Sequence, residues 1–186
     1  MVELLERKLT VREFHAMDFP ENDLFIYELI DGILMKKQAP SPAHQQVSSN
    51  LHFAIKSFLA QNPIGVVFYS PIDVYFDDYN NSQPDLLVIS NERDFIIDKK
   101  NGIMGAPDLI VEIISPSSVK IDRISKKELY EKFGVKEYWI VDPLNMSVEV
   151  YILTNNQYIL PQITQSGEIL TSSILKGLEL NIDTLF

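Results

Sequence analysis

The sequence predicts an α/β fold: a mixed β-sheet flanked by helices, with an N-terminal helix and hairpin in front of it. Three observations carry that expectation. Residues 42–60 place apolar side chains at helical spacing, and Leu109–Ile114 is apolar on both faces, as a doubly covered central strand requires. Helical and strand-like segments also alternate along the chain with no linker between them. With 186 residues, 46% of them hydrophobic, residues 1–186 are expected to form one domain around a sizeable core.

Each element has a local reason. Thr10-Val11-Arg12-Glu13 is a capping box, in which two side chains satisfy the first free amides of a short helix. Phe25–Ile30 and Ile33–Lys37 flank Asp31-Gly32, the signature of a tight hairpin. Ser41 is the expected N-cap of the helix over 42–60, with Pro42 in its first turn and Val47, Leu51, Ile55 and Leu59 on its apolar stripe. One long aromatic strand is expected over Val66–Phe76, and a shorter one at Leu86–Ile89 behind Pro84-Asp85. A helix over Asp122–Phe133 would end at Gly134. Tyr138–Val141, Val148–Leu153 and Tyr158–Leu160 read as further strands, with Asp142-Pro143-Leu144-Asn145 as a turn.

Composition excludes several chemistries. No cysteine means no disulfide framework, Cys-ligated zinc, iron–sulfur cluster or cysteine nucleophile. With three histidines (His15, His44 and His52), a multi-histidine zinc site is hard to assemble, so a metal here should be a hard cation held by carboxylates. The net charge of −10 argues against coating nucleic acid with positive charge, but allows a local basic patch or metal ions that invert the field of an acidic site. The opening MVELLERKLTVREF mixes acids and bases and does not read as a signal peptide. No apolar run is long enough to span a membrane, so a cytoplasmic protein is expected.

Against this background three residues stand out. Glu112 interrupts the apolar strand Leu109–Ile114 on the face shared with Ile110 and Ile114. A carboxylate there is costly unless paired or bound to metal; an ion pair with a helix, or a strand end reaching solvent, would also explain it. Asp85 follows Pro84 at the entrance to a buried strand. Alone it reads as a turn or cap residue; paired with Glu112 it could share one divalent cation. Lys126 falls on the inward stripe Asp122, Lys126, Leu129, Tyr130 and Phe133. Its ammonium either escapes by snorkelling or meets the carboxylates, where it could hold an attacking water or offset developing charge. Glu28 and His44 are weaker candidates, since exposed strand glutamates and structural histidines are common. Lys120, Arg123, Lys126, Lys127, Lys132 and Lys136 crowd one stretch, which is either a solvated helix face or a nucleic-acid patch.

Several motifs in order then become recognisable: Tyr27-Glu28-Leu29-Ile30-Asp31-Gly32, Pro40-Ser41-Pro42-Ala43-His44, Gln83-Pro84-Asp85, Ala106-Pro107-Asp108 running on through Glu112 to Ser118, Lys126 ahead of Glu128-Leu129-Tyr130, and Gly134-Val135-Lys136-Glu137-Tyr138-Trp139. Over roughly residues 8–153 the chain resembles the Uma2 family, which is placed in the PD-(D/E)xK, restriction endonuclease-like superfamily. The resemblance implies Mg²⁺- or Mn²⁺-dependent phosphodiester hydrolysis. Asp85 matches the motif aspartate and Glu112 the motif acid, with Glu28 as an extra acid and His44 as a recurring histidine. The lysine expected two places after Glu112 is absent, because Ile114 stands there, and Lys126 from the following helix takes its place.

The resulting expectation is a metal-dependent endonuclease acting on nucleic acid, with DNA as substrate, as a homodimer. Asp85, Glu112 and Glu28 would hold the metal, and Asp85, Glu112, Lys126, Glu28 and His44 would form the catalytic set. The competing class is a non-catalytic nuclease-fold module that binds nucleic acid or a protein. A glycosidase using Glu112 and Asp85 ranks last, because it leaves Lys126 without a role.

Overall fold

The computed structural model describes residues 7–20 and 25–186. Residues 1–6 of the opening segment on which the signal-peptide argument rests lie outside them. Helix α1 (Val11–His15) carries the expected capping box, with Thr10 Oγ1 accepting from the Glu13 N–H and the Glu13 carboxylate accepting from the Thr10 N–H. The hairpin pairs β1 (Phe25–Ile30) with β2 (Ile33–Gln38), and its Asp31 and Gly32 both take positive φ, as the tight turn demands. Helix α2 (Pro42–Gln61) follows, its first turn capped by Ser41.

Beyond α2 come β3 (Gly65–Tyr69), β4 (Val74–Asp77), β5 (Asn80–Ser82), β6 (Leu86–Ser90), β7 (Ile97–Asp98), β8 (Gly102–Met104) and β9 (Leu109–Ile113). Then come β10 (Glu137–Asp142), β11 (Ser147–Thr154), β12 (Gln157–Tyr158), β13 (Gln162–Gln165), β14 (Ile169–Thr171) and β15 (Glu179–Asn181). One sheet runs β12-β11-β10-β9-β6-β3, with β13 also on β11; a second runs β2-β1-β5-β4-β8-β7. The first is mixed: β9 lies parallel to β10 and antiparallel to β6. The fold is therefore the mixed α/β arrangement expected.

Strand β9 is the centre of the molecule, and every residue of it is buried. Its Leu109, Val111 and Ile113 pack with Leu51 and Ile55 of α2. Its Ile110, with Ile114 just beyond it, packs with Leu129, Tyr130 and Tyr138 on the opposite face. Glu112 shares that second face. The C-terminal segment belongs to the first core, where Leu170, Leu175, Leu178, Ile182 and Leu185 bury themselves. A polar clasp holds it there. The buried Glu137 carboxylate accepts from Trp139 Nε1 (2.7 Å), Ser172 Oγ (2.7 Å) and the Ser173 N–H (2.7 Å), and also from the Ser173 hydroxyl. Glu137→Ala would strand these donors, so urea unfolding should show a loss of about 3 kcal/mol, and a loss under about 1 kcal/mol would refute the clasp.

Three expected elements differ. The strand expected over Val66–Phe76 is two strands in different sheets, β3 and β4. Pro71 has no N–H for a ladder, and the chain crosses between sheets there, with the Ser70 N–H bonded to the Asp85 carbonyl at 3.0 Å. The helix expected over Asp122–Phe133 is wound as a π-helix over Ile121–Lys126 before continuing as α3 (Lys127–Lys132). Such widened turns recur at functional sites, and this one brings Asp122 and Lys126 inward together. The strand expected at Tyr158–Leu160 stops at Tyr158, and Leu160 is exposed.

Candidate active site

Glu112 projects from β9 into a fully buried pocket, yet both of its oxygens are engaged. Oε1 accepts from Lys126 Nζ (2.8 Å) and from the Tyr130 hydroxyl (2.8 Å), and Oε2 faces Lys37 Nζ at 3.4 Å. Burial pushes the Glu112 carboxyl up to about 7; the Lys126 and Lys37 charges oppose that rise without cancelling it.

Asp85 stands at the entrance to β6 as expected. Its Oδ2 accepts from the Ile113 N–H (2.7 Å), which ties it to the strand of Glu112, and lies 3.1 Å from His44 Nε2. Its Oδ1 faces Lys37 Nζ at 3.8 Å. Burial favours the neutral acid, but Lys37, His44 and the Ile113 amide outweigh it and hold the carboxyl at about 2. His44 comes from the first turn of α2, next to its Ser41 cap.

Lys126 has no exposed surface, so the snorkelling alternative does not apply. Its ammonium lies 2.8 Å from Glu28 Oε1 as well as 2.8 Å from Glu112, and 3.8 Å from Asp122 Oδ1 one turn earlier. These carboxylates hold its pKa well above the ordinary lysine value despite burial. Glu28, carried by β1, also accepts from the Gln83 N–H at 2.7 Å. Asp122 is buried with neither oxygen hydrogen-bonded among the described residues, and burial raises its pKa.

The structure thus brings together all five residues singled out from the sequence. It also adds two that the sequence argument did not select, Lys37 and Tyr130. Lys37 was legible in principle: the hairpin register pairs Ile26 with Lys37 and Glu28 with Met35, so Lys37 and Glu28 share a face. Tyr130 was placed on the inward stripe, but nothing in a helical period marks a hydroxyl as reaching a carboxylate. Within the basic stretch, Lys120, Lys132 and Lys136 are exposed. Lys126 is buried, Arg123 pairs with Glu149, Lys132 with Asp31 and Lys136 with Asp108.

The network sets four carboxylates (Glu28, Asp85, Glu112 and Asp122) against two ammonium groups (Lys37 and Lys126), a formal excess of two negative charges. That donor set fits a hard divalent cation. Asp85 Oδ1 and Glu112 Oε2, each the second oxygen of a carboxylate whose first oxygen is anchored, face the same Lys37 ammonium. Among the described residues no group of three or more His, Cys, Asp or Glu side chains forms a ready metal cage, so an ion here would retain waters. Asp85, His44, Lys37, Ser115 and Ser117 line a cleft of about 380 Å³.

A family model described as "Uma2: Putative restriction endonuclease" matches residues 11–183. The chain belongs to the Uma2 family. The fold agrees: a crystal structure described as a putative nuclease belonging to DUF820, from Anabaena variabilis, superposes with a TM-score of 0.77. The two sequences are 25% identical over 96% of this chain and 97% of the other. No curated protein sequence matches. In Uma2 terms the chain is a nuclease-fold protein, and none of the helices described is long and apolar enough to cross a membrane.

Proposed function

We propose that this Uma2 protein is a Mg²⁺- or Mn²⁺-dependent endonuclease that hydrolyses phosphodiester bonds, with DNA as its substrate. One observation carries the reading. Asp85 and Glu112 each fix one oxygen on rigid partners and turn the other towards the same Lys37 ammonium, beside a cleft. A bound divalent ion would lower the pKa of a coordinated water and polarise the scissile phosphate. Asp85 and Glu112 would hold it, with Glu28 completing the acidic set. Lys126, anchored by Glu28 and Glu112, would orient the attacking water or offset charge on the phosphorus oxygens. His44 fixes the orientation of Asp85 through Oδ2. The same reading takes residues 1–186 as one unit, acting in the cytoplasm as a homodimer that cuts both strands of a duplex.

Calorimetric titration with Mn²⁺ tests the site. The wild type should bind, and the folded Asp85→Asn/Glu112→Gln variant should not. Because Glu112 must lose its proton to act as a ligand, affinity should rise as pH passes upward through about 7, with proton release on binding. Equal binding by the double variant, or an affinity indifferent to pH across that range, would count against the assignment.

A further inference from the structure

We propose that Lys37 is a built-in counter-ion that occupies the divalent-cation position between Asp85 and Glu112, and swings into the cleft when the ion enters. The inference rests on reading these two carboxylates as the metal ligands. Its geometry is specific to Lys37. The two lysines of the site are held differently. Lys126 Nζ sits 2.8 Å from each of two carboxylates with no exposed surface, a clamped group with nowhere to go. Lys37 Nζ stands further off, 3.4 Å from Glu112 Oε2 and 3.8 Å from Asp85 Oδ1, and its side chain keeps 13% of its surface exposed.

Position supplies the exit. Strand β2 is the outer strand of its sheet, and Lys37 lies one residue from its end, ahead of Pro40. Lys37 also lines the cleft that holds Ser115 and Ser117. A lysine stem has four rotatable methylenes, so the ammonium can leave the carboxylates while the backbone stays in place. An ammonium and a divalent cation cannot share Asp85 Oδ1 and Glu112 Oε2, because their like charges repel at such separations. Entry of the ion therefore moves a positive charge to the cleft, where an anionic phosphate would lie. Metal and nucleic acid would then bind cooperatively, and the metal alone would bind weakly.

Mn²⁺ titration of Lys37→Met and Lys37→Arg, with the wild type alongside, tests this. Lys37→Met removes the competing charge, so its Mn²⁺ affinity should exceed that of the wild type by about tenfold or more. Lys37→Arg keeps the charge and should stay within about threefold of the wild type. Lys37→Gln gives the same reading as Lys37→Met if the latter fails to fold by circular dichroism. Unchanged or weaker binding in a folded, uncharged variant would overturn the role of Lys37. If wild-type binding is meanwhile lost in Asp85→Asn/Glu112→Gln, the metal site itself still stands. Absence of Mn²⁺ binding in every one of these proteins would overturn both.

Discussion

Glu112→Gln is expected to abolish nucleic-acid cleavage while leaving the protein folded. The amide matches the carboxylate in shape, and its oxygen can still accept from Tyr130 and Lys126, the two donors now at Glu112 Oε1. Lys126 keeps Glu28 and Asp122 as counter-charges, so no ammonium is left buried alone. Removing one buried carboxylate from a cluster with excess negative charge also relieves repulsion. Thermal denaturation should therefore move by no more than about 1–2 kcal/mol in stability. Cleavage is another matter. A neutral ligand forfeits several kcal/mol of transition-state charge stabilisation at the metal, which corresponds to a rate loss of about 10³-fold or more.

Lys126→Met should have the opposite signature: a large loss of stability as well as of activity. Methionine fills the same space, but Glu28, Glu112 and Asp122 lose the ammonium that all three surround. Lys37 reaches only Glu112 Oε2 among these three. Breaking a buried ion network from one side costs about 3–5 kcal/mol, because uncompensated charge stays behind. The sign of the pH dependence follows. Without Lys126 the carboxyls are protonated more readily in the folded state than in the unfolded one, so the defect should be full at about pH 7.5 and shrink as pH falls towards about 5. Urea unfolding at the two pH values reads this directly. A variant as stable as the wild type at both would show that Lys126 is not the counter-ion of the cluster.

The contrast between the two variants explains what was legible in the sequence. Glu112 and Lys126 were visible because each violates a pattern: a charge in a strand apolar on both faces, and a lysine on an inward helical stripe. Such violations are what functional sites leave behind. The capping box at Thr10 and the hairpin at Asp31-Gly32 were visible because their chemistry is local. Pairings between distant segments were not. Pro71 inside Val66–Phe76 is a local break, but which sheet each half joins, and that Ile121–Lys126 winds as a π-helix, depend on what packs around them. The role of the C-terminal segment was closed to the sequence for the same reason. Its leucines show no long period, and only the fold places Leu175 and Leu185 against α2 and β9. Lys37 escaped selection because it sits in an ordinary polar stretch, Lys36-Lys37-Gln38, where charge at a strand end excites no suspicion.

The most direct measurement is incubation of supercoiled plasmid DNA, with a labelled RNA alongside, with the wild type and with Glu112→Gln from matched preparations. Each is run in Mg²⁺, in Mn²⁺ and in excess chelator. Metal-dependent cutting by the wild type alone, stopped by the chelator, is the predicted result. Equal cutting by Glu112→Gln, or cutting in chelator, would contradict the assignment of the metal site. Nucleic acid left intact by the wild type under every condition would contradict the enzyme and point instead to a nuclease-fold module that binds without cleaving.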